Sequence, residues 1–279
     1  MADERQRWLR QQAELGGPEV ILSRAPRVTG RESTEPLATH ESRPATGAEE
    51  QGREPPSASP PARQPAVPRW LKDAPPIPGD GLVVEPEPWD FTEPRAQLES
   101  LEQVAAMVAG CTLCPLCRTR KNTVPGEGDP NARLMFVGEG PGQTEDETGR
   151  PFVGPAGNLL DDILRAIEIP RERVFIANVV KCRPPKNRTP LPDEQATCLP
   201  YLRRQVELVR PKVLVALGST AAGALLGSRR ALGELRGQVH RWAGIPLIVT
   251  YHPAALLRNP NWKRPTWDDV RIARQLLDR

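Results

Sequence analysis

Four cysteines in two pairs carry the first chemical signal in this 279-residue chain. Cys111 and Cys114 form a C-x-x-C, which sets two thiols on one turn. Cys182 and Cys198 lie far downstream, each beside a different expected element. A C-x-x-C turn presents two thiolates to one metal centre, and folding can bring a distant pair to the same place. By spacing alone a four-cysteine zinc site fits better than an iron–sulfur cluster. Cys117 extends the motif to C-x-x-C-x-x-C and competes as a ligand. Five cysteines cannot all pair internally. Between the pairs runs Gly138-Glu139-Gly140-Pro141-Gly142, a glycine-rich loop behind a short apolar run. Metal-ligating cysteines around such a loop suggest an enzyme whose scaffold is stapled by a metal centre.

Other side chains with chemical potential sit where apolar runs end. Asn178 closes the run Val174-Phe175-Ile176-Ala177, and a buried amide there needs hydrogen-bond partners. His252 precedes Pro253 directly after another run. Glu139, Glu145 and Asp146 supply carboxylates, and Phe152 follows a proline on the glycine-rich segment.

Those residues need elements to position them. Residues 133–137, 174–180, 213–218 and 246–250 read as buried strands, because each is a short apolar run bounded by polar or turn residues. Helical spacing predicts helices from Leu98 to Cys111, over 156–167, over 193–209, from a Ser219 cap to Leu226, and over 267–277. Strands alternating with helices imply an α/β fold, a three-layer α/β/α arrangement around a mainly parallel four-stranded sheet. Ligands bind at the carboxyl ends of such strands. Glu139, Asn178, Ser219 and His252 all fall there.

The prolines divide the chain. Of 33, six fall between Pro55 and Pro68. Residues 24–94 carry few apolar side chains and cannot offset their ordering entropy, so a disordered linker is expected there. Residues 95–279 form the expected catalytic domain, large enough for one core. Residues 1–23, with Trp8, Leu9 and Leu15 amid charged neighbours, read as a short amphipathic helix, either inert or a docking peptide for a protein partner.

Charge and hydropathy bound the setting. The net charge of +3 is mildly basic and permits nucleic-acid binding without demanding it. Lys181, Arg183, Lys186 and Arg188 crowd one expected loop, and Arg258, Lys263 and Arg264 another. No run reaches the ~18 apolar residues needed to span a membrane. The first residues lack the apolar core of a secretory signal. A monomer in the cytoplasm, with free or metal-bound thiols, is expected.

Several of these segments together resemble one family. Gly138 to Gly142, then Glu145-Asp146, Gly149-Arg150-Pro151-Phe152-Val153-Gly154 and Ala156-Gly157, look like the first motif of family 4 uracil-DNA glycosylases. Asn178 through Pro185 resembles their second block, and Tyr251-His252-Pro253-Ala254 their histidine–proline motif. The motifs occur in order from about Cys111 onward. The resemblance implies an enzyme of base excision repair that flips uracil out of single- or double-stranded DNA and hydrolyses its glycosidic bond. It implies a [4Fe–4S] cluster, structural in role, on Cys111, Cys114, Cys182 and Cys198, and leaves Cys117 out. It implies that Phe152 stacks on the flipped ring and Asn178 reads its edge. His252 then stabilises the departing anion, and Glu139 positions water. Gly140 stands where family 1 enzymes carry an aspartate. Leu256 or Leu257 would wedge the duplex, Arg258 would meet a phosphate, and Ser219 another. Arg118 and Arg120 mark a further loop expected to face DNA.

Two other readings fit the same residues. One is a non-enzymatic DNA-binding module on a metal-stapled fold. Another is a metal-dependent nucleotide hydrolase with Glu139, Glu145, Asp146 and His252 as ligands.

Overall fold

The computed structural model describes residues 67–90 and 92–279. The expected helix at 1–23 and the expected linker up to residue 66 lie outside the described residues.

Four parallel strands form the centre, and they are the four apolar runs. They are β3 (Leu134–Gly138), β4 (Val174–Asn178), β5 (Val213–Leu217) and β7 (Ile245–Thr250). Each alternates its side chains between two cores. Met135, Val137, Phe175, Ala177, Leu214, Ala216, Leu247 and Val249 face one. Leu134, Phe136, Val174, Ile176, Val213, Val215 and Ile248 face the other. Burial on both faces explains why the runs are continuously apolar.

Helices cover each face. α1 (Leu101–Ala109), α4 (Pro192–Val209) and α5 (Ser219–Leu226) supply Val104, Leu202 and Leu225 to the first core. On the opposite face α3 (Pro155–Ala166) and α8 (Lys263–Asp278) supply Leu160 and Val270. The short helices α2 (Gln143–Thr148), α6 (Leu232–Leu235) and α7 (Pro253–Arg258) sit in the connections.

The sheet is wider than expected. Its order is β1-β6-β7-β5-β3-β4-β2, seven strands rather than four. β2 (Glu127–Gly128) runs antiparallel to β4, and β6 (Val239–Trp242) antiparallel to β7. β1 (Asp80–Val84) pairs parallel with β6. That last strand corrects the linker expectation, because β1 falls inside 24–94. Trp70 is also buried, with the Arg274 guanidinium 5.0 Å from its ring centre. His240 locks β1 in place: its Nδ1 accepts from Leu82 N at 2.9 Å, and its Nε2 meets Leu235 O at 2.6 Å. Further on, Trp89 donates to Glu207 and stacks under Arg203. Sparse but well-anchored aromatic residues therefore hold a proline-rich stretch that composition alone reads as disordered.

Candidate active site and cysteine cluster

The strand order explains how distant residues meet. Across the carboxyl edge the strands run β7, β5, β3, β4. Their ends therefore present His252, the Gly218 turn, Glu139 and Asn178 in that order.

Asn178 is 1% exposed, and its Oδ1 has no hydrogen-bond partner. Gly138 pairs beside it on β3. A Cβ on Gly138 would stand 2.4 Å from Asn178 Oδ1 and 2.6 Å from Phe152 Cζ. Only glycine there lets the amide and the ring share one space. Phe152 itself has φ +51°, a left-handed conformation costly for an aromatic residue. Its carbonyl presses so close to Gly157 on α3 that a Cβ would lie 2.0 Å away. Gly140 likewise packs tightly, its missing Cβ falling 2.7 Å from Val180.

The Phe152 ring lies 5.4 Å from the His252 ring, tilted by 31°. His252 Nδ1 accepts from Ala254 N at 3.1 Å, which leaves the proton on Nε2. Burial, aided by the positive charge of Arg258 and opposed by Glu145, pushes the imidazole pKa down to about 4. It is therefore a neutral hydrogen-bond donor at physiological pH.

Glu139 is half-buried, and its Oε2 accepts from Thr220 Oγ1 at 2.5 Å. The other two acids hold loops. Glu145 accepts from Val153 N and Gly154 N at 2.9 Å each and from Gly142 N at 3.1 Å, so one carboxylate gathers both ends of the glycine-rich segment. Asp146 accepts from Lys121 N at 2.9 Å. These roles overturn the metal-hydrolase reading. Among the described residues no three His, Cys, Asp or Glu side chains group tightly enough to hold one metal ion.

The expected DNA contacts sort by exposure. Leu256 is 1% exposed and belongs to the core, whereas Leu257 is 49% exposed and Arg258 is exposed beside it. Leu257 is thus the leucine available as a wedge. Ser219 is exposed in the first turn of α5, but Gly218 takes the capping position and Ser219 makes no cap bond.

Cys111, Cys114, Cys117, Cys182 and Cys198 line one small cavity with Arg120, Lys181 and Tyr201. None of the cysteines forms a disulfide. Burial pushes the Cys198 thiol up to about 12 and raises Cys182 and Cys114 as well. Positive groups counter this. Arg120 Nη1 donates to Cys182 Sγ at 3.1 Å and to Cys111 O at 2.8 Å, so Arg120 faces the thiols and not DNA. Lys181 N donates to Cys198 Sγ at 3.3 Å.

Lys181 is the larger surprise. Expected on a basic surface loop, it is 1% exposed. Its Nζ donates to Asn178 O at 2.8 Å and to Gln205 Oε1 at 2.5 Å, and burial lowers its pKa to about 8. Nothing in a K-C-R tripeptide distinguishes a buried lysine from a solvated one. Thr220 was missed for a similar reason, being one hydroxyl in a run of small residues.

Comparison with known proteins shows the family. Residues 125–272 match the model of the uracil DNA glycosylase superfamily. The type-4 uracil-DNA glycosylase of Thermotoga maritima is 48% identical over 183 residues, covering 64% of this chain and 95% of that protein. Its counterpart in Pyrobaculum aerophilum is 49% identical over 168 residues, covering 57% and 86%. A type-5 uracil-DNA glycosylase of the same organism is 37% identical over 151 residues, covering 48% and 66%. The chain belongs to the uracil-DNA glycosylase superfamily and, within it, to the type-4 enzymes.

Proposed function

We propose that this enzyme excises uracil from DNA by hydrolysing the bond between N1 and C1′, with Asn178, Phe152, His252 and Glu139 forming the pocket. The buried, unpartnered Asn178 Oδ1 carries the reading. An orphaned buried acceptor is costly unless a ligand satisfies it. Uracil does so, because its N3–H donates where Asn178 accepts and its O4 accepts where the amide donates. Cytosine has the opposite pattern on both atoms and would leave both groups mismatched.

The chemistry follows from the neighbours. The flipped base lies against the Phe152 ring. As the glycosidic bond breaks, its electron pair moves to the base and charge collects on O2. The neutral His252 donates from Nε2 to that oxygen. Water held by Glu139 attacks C1′ from the face opposite the departing base, and its proton passes to the carboxylate. The products are free uracil and an abasic site. Leu257 fills the gap left in the stack, with Arg258 at the backbone.

We infer that the cysteine cavity holds a [4Fe–4S] cluster, which takes one thiolate per iron, and the cysteines that line one cavity support the reading. Cys111, Cys114, Cys182 and Cys198 would hold it, and Arg120 would offset its negative charge. The cluster would brace α4 and the β4 end, because glycosidic hydrolysis transfers no electrons. The segment 1–23 keeps its two readings, inert or a docking peptide for a protein partner.

The test is incubation with an oligonucleotide holding one uracil, then alkaline cleavage of abasic sites. Strand scission at that position and free uracil in solution are expected. Binding without released base would instead make the chain a recognition module.

A further inference from the structure

We propose that Thr220 is a positioning residue for the reaction: its hydroxyl fixes the Glu139 carboxylate so that the remaining oxygen faces the attacking water. The inference rests on the water-holding role proposed for Glu139.

The topology makes the contact. Glu139 follows β3 and Thr220 follows β5, and these strands are paired neighbours in parallel. Both residues therefore leave the same sheet edge side by side, Thr220 between the His252 strand and Glu139. The hydroxyl donates to Oε2 at 2.5 Å. Among the described residues, Thr220 is the one side-chain partner of this carboxylate, so Oε1 is left open.

Threonine behaves differently elsewhere in this chain. Thr148, Thr197 and Thr266 each donate back to the carbonyl four residues earlier, the usual habit of helical threonine. Thr220 stands in the first turn of α5, where no helical carbonyl lies behind it. Its proton goes to Glu139 instead. A carboxylate gripped at one oxygen loses rotational freedom, and a water bound to the other oxygen gains a fixed direction. Small misplacement of a reacting group is costly in rate, so this grip acts on the chemical step and not on DNA affinity.

The test is single-turnover uracil excision by Thr220→Val, Thr220→Ala, Thr220→Ser, Glu139→Ala and the Thr220→Val/Glu139→Ala pair. Affinity for an oligonucleotide with a non-cleavable 2′-fluoro uridine and thermal melting are measured alongside. Removing a hydrogen bond to a charged group predicts about a tenfold or greater fall in rate for Val and Ala, with affinity unchanged. Serine keeps the hydroxyl and should restore most of the rate. In the Glu139→Ala background, Thr220→Val should add almost nothing. If Glu139→Ala is impaired but Thr220→Val and Thr220→Ala match the wild type, this inference alone falls. Additive losses in the pair, or weakened binding with serine failing to rescue, would make Thr220 a packing residue and overturn it too. A fully active Glu139→Ala would remove both readings.

Discussion

Phe152 and His252, brought together from two separate connections, stand ring to ring at 5.4 Å. Burial, aided by the charge of Arg258, keeps the imidazole neutral, with its pKa at about 4. The ordinary value is about 6.5. Because the folded value is depressed, the unfolded chain takes up this proton first as pH falls. Stability linked to His252 is complete above about 6.5 and is lost on the way down to 4. Excision should therefore show no histidine inflection near pH 6.5. His252 resonances in an NMR titration should stay put until well below pH 5. A ring titrating near 6.5, with the rate following it, would mean that the imidazolium is the working form.

Asn178→Asp exchanges the donor of the amide for a second acceptor. Uracil O4 would then face an oxygen, and excision should fall by about ten- to a hundredfold or more. The same change suits the amino group of cytosine, so weak cytosine excision is expected. Single-turnover assays on both bases check this. Unchanged uracil excision in a folded Asn178→Asp protein would take the residue out of the pocket.

Shortening the chain to begin at Pro88 should destabilise it. That cut removes β1 and the buried Trp70 and leaves the β6 edge and His240 Nδ1 without Leu82 N. Trp70→Ala alone should cost about 3–5 kcal/mol, as for other buried tryptophans. Urea unfolding measures both. A chain starting at Pro88 that unfolds at the wild-type midpoint would show β1 to be an ornament on the sheet.

Purified protein should be brown and hold about four iron and four sulfide per chain. Alanine at Cys111, Cys114, Cys182 or Cys198 should bleach it, while Cys117→Ala should not. Metal and sulfide analysis decides the matter. One zinc and no sulfide would replace the cluster with a mononuclear site.

The central strands were legible because sheets buried on both faces need continuous apolar runs, and Leu134 to Val137 or Val213 to Leu217 have no other use. The candidate site was legible with them, since Glu139, Asn178 and His252 fall at strand ends. The missed pieces lack that signal. β6 carries His240 and Arg241 in its middle, and β2 has only two residues. α2 reads Gln-Thr-Glu-Asp-Glu-Thr, with no apolar stripe, because what it buries is two carboxylates bound to loop N–H groups. Lys181 and Thr220 look ordinary in sequence, and only the sheet order reveals their partners.

Lys181 ties two parts of the molecule into one mechanical unit. Its main chain holds Cys198 on one side, and its side chain holds the backbone of Asn178 on the other. A displacement of the cysteine corner would thus reach the Asn178 backbone through a single residue.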